Sequence, residues 1–261
     1  MNKPTSSRAR RKIAPAALSA AFVAAPRSLA ARAYLEIRDR ILKGELPVGM
    51  ALARRKLAAA LGISVPPVSE ALQRLEREGL VESRPRVGTR VRVPTRRDIE
   101  NRSLVREALE TQAARLFAER ATPVEKRNLR RMGRRVDRLY AAWEKSPGNR
   151  DGLFSANTCH MRLHLHIAER ARCPALRDAI EREQVLVFNW LHDTAVQRRS
   201  LASNYHIRLT DALARCAPAQ AEAAMREHIR CGLRQVLSRL ACMDGRRNGW
   251  RHKKHPEPLK L

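Results

Sequence analysis

Two kinds of side chain are placed to do chemistry: clustered cations and imidazoles. Arg54, Arg55 and Lys56 open a short helix-forming run, 54–61. Cations at a helix N-terminus oppose the macrodipole, so stability does not explain this cluster, whereas a phosphate partner does. The whole chain leans the same way. Lys and Arg number 53 against 26 Asp and Glu in 261 residues, a formal charge of +27, which points to a polyanion, either nucleic acid or an anionic surface. Among eight histidines, His160 and His164 are four residues apart. They therefore share one helix face, as two ligands of one ion must, although a lone His is more often a satisfied core or surface residue. There is no HExxH pattern and no acidic general base beside the pair, so hydrolytic metal chemistry lacks its usual parts. The cysteines, Cys159, Cys173, Cys216, Cys231 and Cys242, are odd in number and include no CxxC. They read as free thiols of a reducing cytoplasm.

These groups need elements to hold them. No apolar run approaches the ~20 residues of a membrane span, and no membrane partner is expected. Residues 14–25 follow Arg10, Arg11 and Lys12 in the manner of a signal peptide, but they are mostly Ala and are interrupted by Pro15. Residues 1–26 read instead as a flexible basic arm that adds phosphate attraction. Ser28 caps a helix over 28–43, with Leu29, Ala33, Ile37 and Ile41 at every fourth position. A second helix over 54–61 carries Leu57 and Leu61, and Gly62-Ile63-Ser64 turns the chain. Ser64 caps a third helix with Val68, Leu72 and Leu75 on its buried face. Pro66 and Pro67 fit its first turn, and Gly79 ends it. The run 81–93, with Val91 and Val93 alternating against Arg90 and Arg92 after the turn 84–88, predicts a β-hairpin. Residues 27–94 thus read as a winged helix-turn-helix, whose second helix enters the major groove while the first crosses the backbone.

The chain divides at 94–98. From Asp98 the apolar spacing is helical throughout. The first helix carries Leu104, Val105, Ala108, Leu109, Ala113, Leu116 and Phe117 on that spacing. Thr122 caps the next helix, with Pro123 in its first turn, and Pro147-Gly148 ends it. A third helix carries Leu153, Phe154, Met161, Leu165 and Ala168. Helices over 175–197 and 200–215 follow, and a last one runs from Ala217-Pro218 to about Leu240. The expected fold is mainly α: a winged helix-turn-helix, an all-α bundle over 98–242, and a basic tail over 243–261 that reads as disordered.

The block 28–93, through "KLAAALGISVPPVSEALQRLEREGLVESRPRVGTRV", resembles the DNA-binding domain of the GntR family of regulators. The segments "VREALETQAARLFAERAT" (105–122), "HMRLHLHIAERARCPAL" (160–176) and "NYHIRLTDALARCAPAQAEAAMREHIRCGL" (204–233) resemble the FCD ligand-sensing domain that accompanies it. The resemblance implies DNA contacts from Arg55 at the start of the second helix. Val65 and Ser69 stand where two recognition-helix Args are usual. Neither can form the bidentate bond by which Arg reads guanine, so a different operator is expected rather than loss of DNA binding. Arg54, Lys56, Ser64 and Gln73 remain as polar contacts, with Arg86, Val87, Gly88 and Thr89 at the wing tip.

In many FCD domains an Asp and three His bind a divalent metal. Here the resemblance places His164, His206 and His228 at the three His positions and His160 at the Asp position. Neutral imidazoles suit Zn, Ni, Cu and Fe, with Zn or Ni expected, and an all-nitrogen set leans away from Mg or Ca. Arg106 matches a family Arg near the ligand cavity, where it would pair with a carboxylate effector. The implied protein is a cytoplasmic, homodimeric regulator and not an enzyme: a repressor of a double-stranded DNA operator, tuned by a small organic acid. Two other readings are open, a sequence-independent nucleic-acid binder driven by the charge and a His-cluster metalloenzyme.

Overall fold

The computed structural model describes residues 28–146, 148–183 and 204–247. Helix α1 (Leu29–Leu42) begins where the Ser28 hydroxyl accepts from the Ala31 N–H at 3.1 Å. It buries Ala33, Tyr34, Ile37, Ile41 and Leu42, while Leu29 is left exposed. Helix α2 (Arg54–Leu61) ends at Gly62, whose φ of 64° is the left-handed conformation that glycine adopts without a steric penalty. Helix α3 (Val65–Arg77) follows at once and buries Val68, Ala71, Leu72 and Leu75.

Strands β2 (Val81–Arg84) and β3 (Gly88–Val91) form the expected hairpin. A two-residue strand, β1 (Ala51–Leu52), pairs with its other edge, so the sheet order is β1-β3-β2, all antiparallel. Two residues are too short to show an alternation, so the sequence carries no signal for this strand.

Ser64 departs from its expected role. It occupies the N-cap position, but its side chain makes no capping bond. A capping hydroxyl accepts from the N–H of the second or third helical residue, and those residues are Pro66 and Pro67, which have none. The exposed Ser64 hydroxyl is thereby left to face outward.

The second half is a helical bundle: α4 (Arg96–Arg120), α5 (Pro123–Glu144), α6 (Arg150–Arg170), a helical segment over 174–183 (α7), α8 (Tyr205–Arg215) and α9 (Pro218–Arg247). Thr95 with Asp98 and Thr122 with Glu125 form reciprocal capping boxes that start α4 and α5. The rest of the helix expected over 175–197, and residues 200–203 and 248–261, lie outside the described residues. Helix α9 runs past the expected end near Leu240 to Arg247.

The expected apolar face of α4 is rotated. Leu104 is 67% exposed and Val105 is also exposed, whereas Ser103, Glu110 and Thr111 are buried. The helix turns polar groups inward because the bundle interior it faces is itself polar, as described below.

The two halves share packing. Ile99 of α4 and Val236 of α9 belong to the winged-helix core. Leu42, at the end of α1, packs with Met161 of α6, beside Phe154 and Leu165.

Helices α5 and α8 meet at Gly133, where a Cβ would lie 2.5 Å from Thr210 Oγ1 and 3.0 Å from the His206 carbonyl. Gly133→Ala should therefore force the helices apart and lower stability by about 1–3 kcal/mol, read as a fall in urea midpoint. In the same assay Thr122→Ala should lose about 1 kcal/mol, whereas Ser64→Ala should change nothing measurable.

Candidate metal centre and nucleic-acid interface

The polar interior is built from four imidazoles on three helices. His160 and His164 project from one face of α6, His206 from the first turn of α8, and His228 from α9. His164, His206 and His228 are buried and His160 is partly so. Their Nε2 atoms converge: His160 to His164 is 2.9 Å, His160 to His228 is 3.2 Å and His164 to His228 is 3.2 Å. His206 stands with this group, its ring 4.5 Å from that of His160, and His160, His206 and His228 each offer a ring nitrogen within 4.8 Å of the others.

Carboxylates set the orientation of two rings. Asp137 of α5 receives His206 Nδ1 at 2.6 Å and the backbone N–H groups of His206 and Ile207 at 3.0 and 2.9 Å. Asn204, at the N-cap of α8, makes no side-chain cap bond. Asp137 thus supplies from another helix the bonds a cap would make, and places its negative charge at the positive end of α8. Glu110 of α4 contacts His164 Nδ1 and receives Arg106 Nε at 2.8 Å. Burial pushes the Glu110 carboxyl up, but Arg106 and His164 outweigh it and hold it at about 2. His228 is driven well below the ordinary imidazole range by burial, reinforced by His164, His206 and Arg106, and is therefore neutral. Its ring lies against that of Tyr205, tilted by 30° with centroids 4.9 Å apart, and the Tyr205 hydroxyl donates to the His228 carbonyl at 3.0 Å. The Tyr140 hydroxyl donates to Asn157 at 2.8 Å and lies 3.5 Å from His160 Nδ1.

A neutral imidazole has one N–H. Where the Nδ1–H donates a hydrogen bond to a carboxylate, Nε2 is left as a lone pair, the tautomer that metal-ligating histidines adopt. Nε2 lone pairs set about 3 Å apart repel one another unless a cation or a proton lies between them. Ligands of one tetrahedral Zn(II) at ~2.05 Å stand about 3.3 Å apart, close to the spacing seen. The donor set fits a divalent transition metal.

All four expected ligand positions come together, and Arg106 lies against them through Glu110. Asp137 and Glu110 were missed. Each sits on the buried stripe of its helix, Asp137 between Gly133 and Tyr140 and Glu110 a turn before Ala113 and Ala114. An acid on an apolar face was the signal available.

The other expected surface lies on the winged helix. Arg54, Arg55 and Lys56 are exposed at the start of α2, and Ser64, Val65 and Gln73 are exposed along α3, with Ser69 half-buried. Arg86 and Gly88 are exposed at the hairpin tip. Arg86 has φ of 63°, a left-handed conformation unusual for an L side chain. Thr89 departs from the expectation. It is 5% exposed, it shares a hydrogen bond of 3.0 Å with Ser83, and it accepts from Arg54 Nη2 at 3.4 Å. Its side chain braces Arg54 against the wing rather than facing outward. Val87, 79% exposed, is the apolar group at the tip.

Cys159, Cys173, Cys216 and Cys231 are free thiols. Among the described residues no helix is long and apolar enough to cross a membrane.

Asp137→Ala should leave the buried His206 ring and two N–H groups without their acceptor. A loss of about 2 kcal/mol or more is expected in urea unfolding, with Asp137→Asn intermediate because it keeps an acceptor oxygen.

Comparison with known proteins agrees with both halves. Residues 29–91 match the model for bacterial regulatory proteins of the gntR family, and residues 103–230 match the FCD domain. The chain is 30% identical over 200 residues, 74% of its length and 84% of the relative, to a probable D-xylose utilization operon transcriptional repressor of Paenarthrobacter nicotinovorans. It is 27% identical over 187 residues, 70% of its length and 81% of the relative, to the HTH-type transcriptional regulator McbR of Escherichia coli. The solved structure of E. coli McbR/YncC superposes with a TM-score of 0.64 at 24% identity, covering 82% of this chain and 99% of that one. A GntR regulator from Rhodococcus gives 0.67 at 21%, covering 80% and 97%. These are regulators and not enzymes, so the metalloenzyme reading falls. The chain belongs to the GntR family of transcriptional regulators and pairs its winged helix-turn-helix with an FCD domain.

Proposed function

We propose that this regulator is a homodimeric repressor whose grip on its operator changes when a small organic acid enters the FCD domain at a metal held by His160, His164, His206 and His228. The convergence of three Nε2 atoms at 2.9–3.2 Å carries the reading. Zn(II) or Ni(II) suits this all-nitrogen set, and when bound the ion would supply open coordination positions to a carboxylate. Glu110 and Asp137 hold the rings in register. Arg106 supplies a second, cationic anchor beside them, engaged by Glu110 until an acid arrives.

The route to DNA is short. Met161 lies between His160 and His164 in α6 and packs on Leu42 of α1. Helix α9 carries His228 and, two turns on, Val236 in the winged-helix core, while α4 carries Glu110 and Ile99. An effector that favours one arrangement of these helices shifts the winged helices by the difference in its affinity for the two states. On the DNA side, Arg54, Arg55 and Lys56 hold phosphates. Ser64, Val65, Ser69 and Gln73 face the major groove, and the wing bearing Arg86, Val87 and Gly88 reaches the neighbouring backbone, with Thr89 beneath it. Two copies are needed because one winged helix reads only a half-site.

Elemental analysis of the purified protein should find about one Zn or Ni per chain, lost in His164→Ala while the winged helix stays folded. No metal in either, even after incubation with both ions, would refute the centre. Ser69→Arg should change the base preferred at one operator position in a randomised-site selection. An unchanged preference would refute the placement of α3. The wild type should prefer its selected site over unrelated DNA by at least about 10³-fold at moderate salt. Equal affinity for both would instead favour a sequence-independent binder.

A further inference from the structure

Helix α5 carries an arginine face that neither the metal centre nor the winged helix uses. Arg127, Arg131, Arg134 and Arg138 recur at i, i+4, i+7 and i+11, and all are exposed. This stripe lies opposite the buried Leu129, Gly133, Val136 and Tyr140. Among the described residues none of the four meets a carboxylate. Arg131 contacts the Asn128 side chain, and Arg138 Nε reaches only the Arg134 carbonyl, at 3.4 Å.

Other arginines of the same bundle are neutralised: Arg102 by Glu183 at 2.9 Å, Arg130 by Asp211 at 2.5 Å and Arg230 by Glu107 at 2.8 Å. On α5 itself the nearby acids are engaged elsewhere, Glu125 in the capping box and with Arg172, Asp137 with His206. Like charges at i, i+4 cost a helix about 0.2–0.5 kcal/mol per pair, so the stripe works slightly against folding, and a polyanion outside the chain would relieve it.

We infer that this face of α5 binds the phosphate backbone of double-stranded DNA, a second and sequence-independent contact beyond the winged helix. The four Cα atoms span about 16 Å at 1.5 Å per residue. One DNA strand presents a phosphate every 3.4 Å of axis, about five over that length. Guanidinium groups pair with phosphate bidentately and remain charged at all working pH values. Duplex DNA is the polyanion that the chain's DNA-binding module already holds, which raises its effective concentration at a further basic face that the same duplex can reach.

The test is equilibrium binding of the full-length protein to a random-sequence 40-bp duplex over a salt series. It compares the wild type with a variant carrying Arg127→Gln, Arg131→Gln, Arg134→Gln and Arg138→Gln, and with a second carrying Lys at the same four positions. Neutralising four phosphate contacts should reduce the slope of log K against log salt by about 3 to 4. The Lys variant should keep the wild-type slope, and thermal melts should match. A slope changed by less than about 1 in the Gln variant overturns the inference. So does an unchanged DNA slope accompanied by lost binding to vesicles containing 30% phosphatidylserine, which would assign the face to a membrane surface. Neither readout involves the metal or the operator, so this inference and the proposed function stand or fall separately.

Discussion

Packing several imidazoles together is the constraint on which the FCD half depends. Each neutral ring brings one N–H and one lone pair, and each nitrogen that is buried needs a partner. Asp137 and Glu110 settle the matter for two rings by taking the Nδ1 side. That choice turns Nε2 inward and makes the interior a nest of lone pairs suited to a cation. It also dictates packing. Asp137 caps α8 across a helix–helix contact, which requires α5 and α8 to approach closely, which in turn requires Gly133. The rotation of α4 has the same origin, since Glu110 must point inward even though Leu104 is then left exposed.

Because the four imidazoles lie on α6, α8 and α9, any change in ring position is a change in helix position. Two of these helices reach the DNA-binding half, α6 through Met161 on Leu42 and α9 through Val236. Close-packed side chains transmit displacement because they cannot absorb it. The winged helix is a separate solution to a separate problem. Its surface keeps cations where the helix dipole disfavours them, at Arg54, Arg55 and Lys56, and leaves the Ser64 hydroxyl uncapped behind two prolines.

Much of this could be read from residue types and spacing. Ser28 and Thr122 announce helices α1 and α5 because each is followed by N–H groups it can bind. Gly62 announces its turn because only glycine takes that φ cheaply. His160 and His164 show a local signal in their i, i+4 spacing, whereas His206 and His228 are reached only through likeness to a family, because a separation of up to 68 positions is no local signal. Four features escape for physical reasons. The cap at Ser64 fails because of what the next residues lack. The strand β1 exists only through its pairing with β3. Asp137 and Glu110 each stand on the apolar stripe of their helix, but which buried ring an acid meets depends on the helix opposite, and the sequence of its own helix does not contain that. Thr89 is of the same kind, its hydroxyl being turned inward by cross-strand pairing with Ser83.

The central claim is that the histidine centre and the winged helix form one mechanical unit. The most direct measurement is amide hydrogen exchange in α1, Leu29–Leu42, with and without stoichiometric Zn(II). Altered protection is expected at the end of α1, around Ile41 and Leu42, together with protection in α6, although α1 contributes no imidazole. Protection confined to α6, α8 and α9, with α1 unchanged, would contradict it.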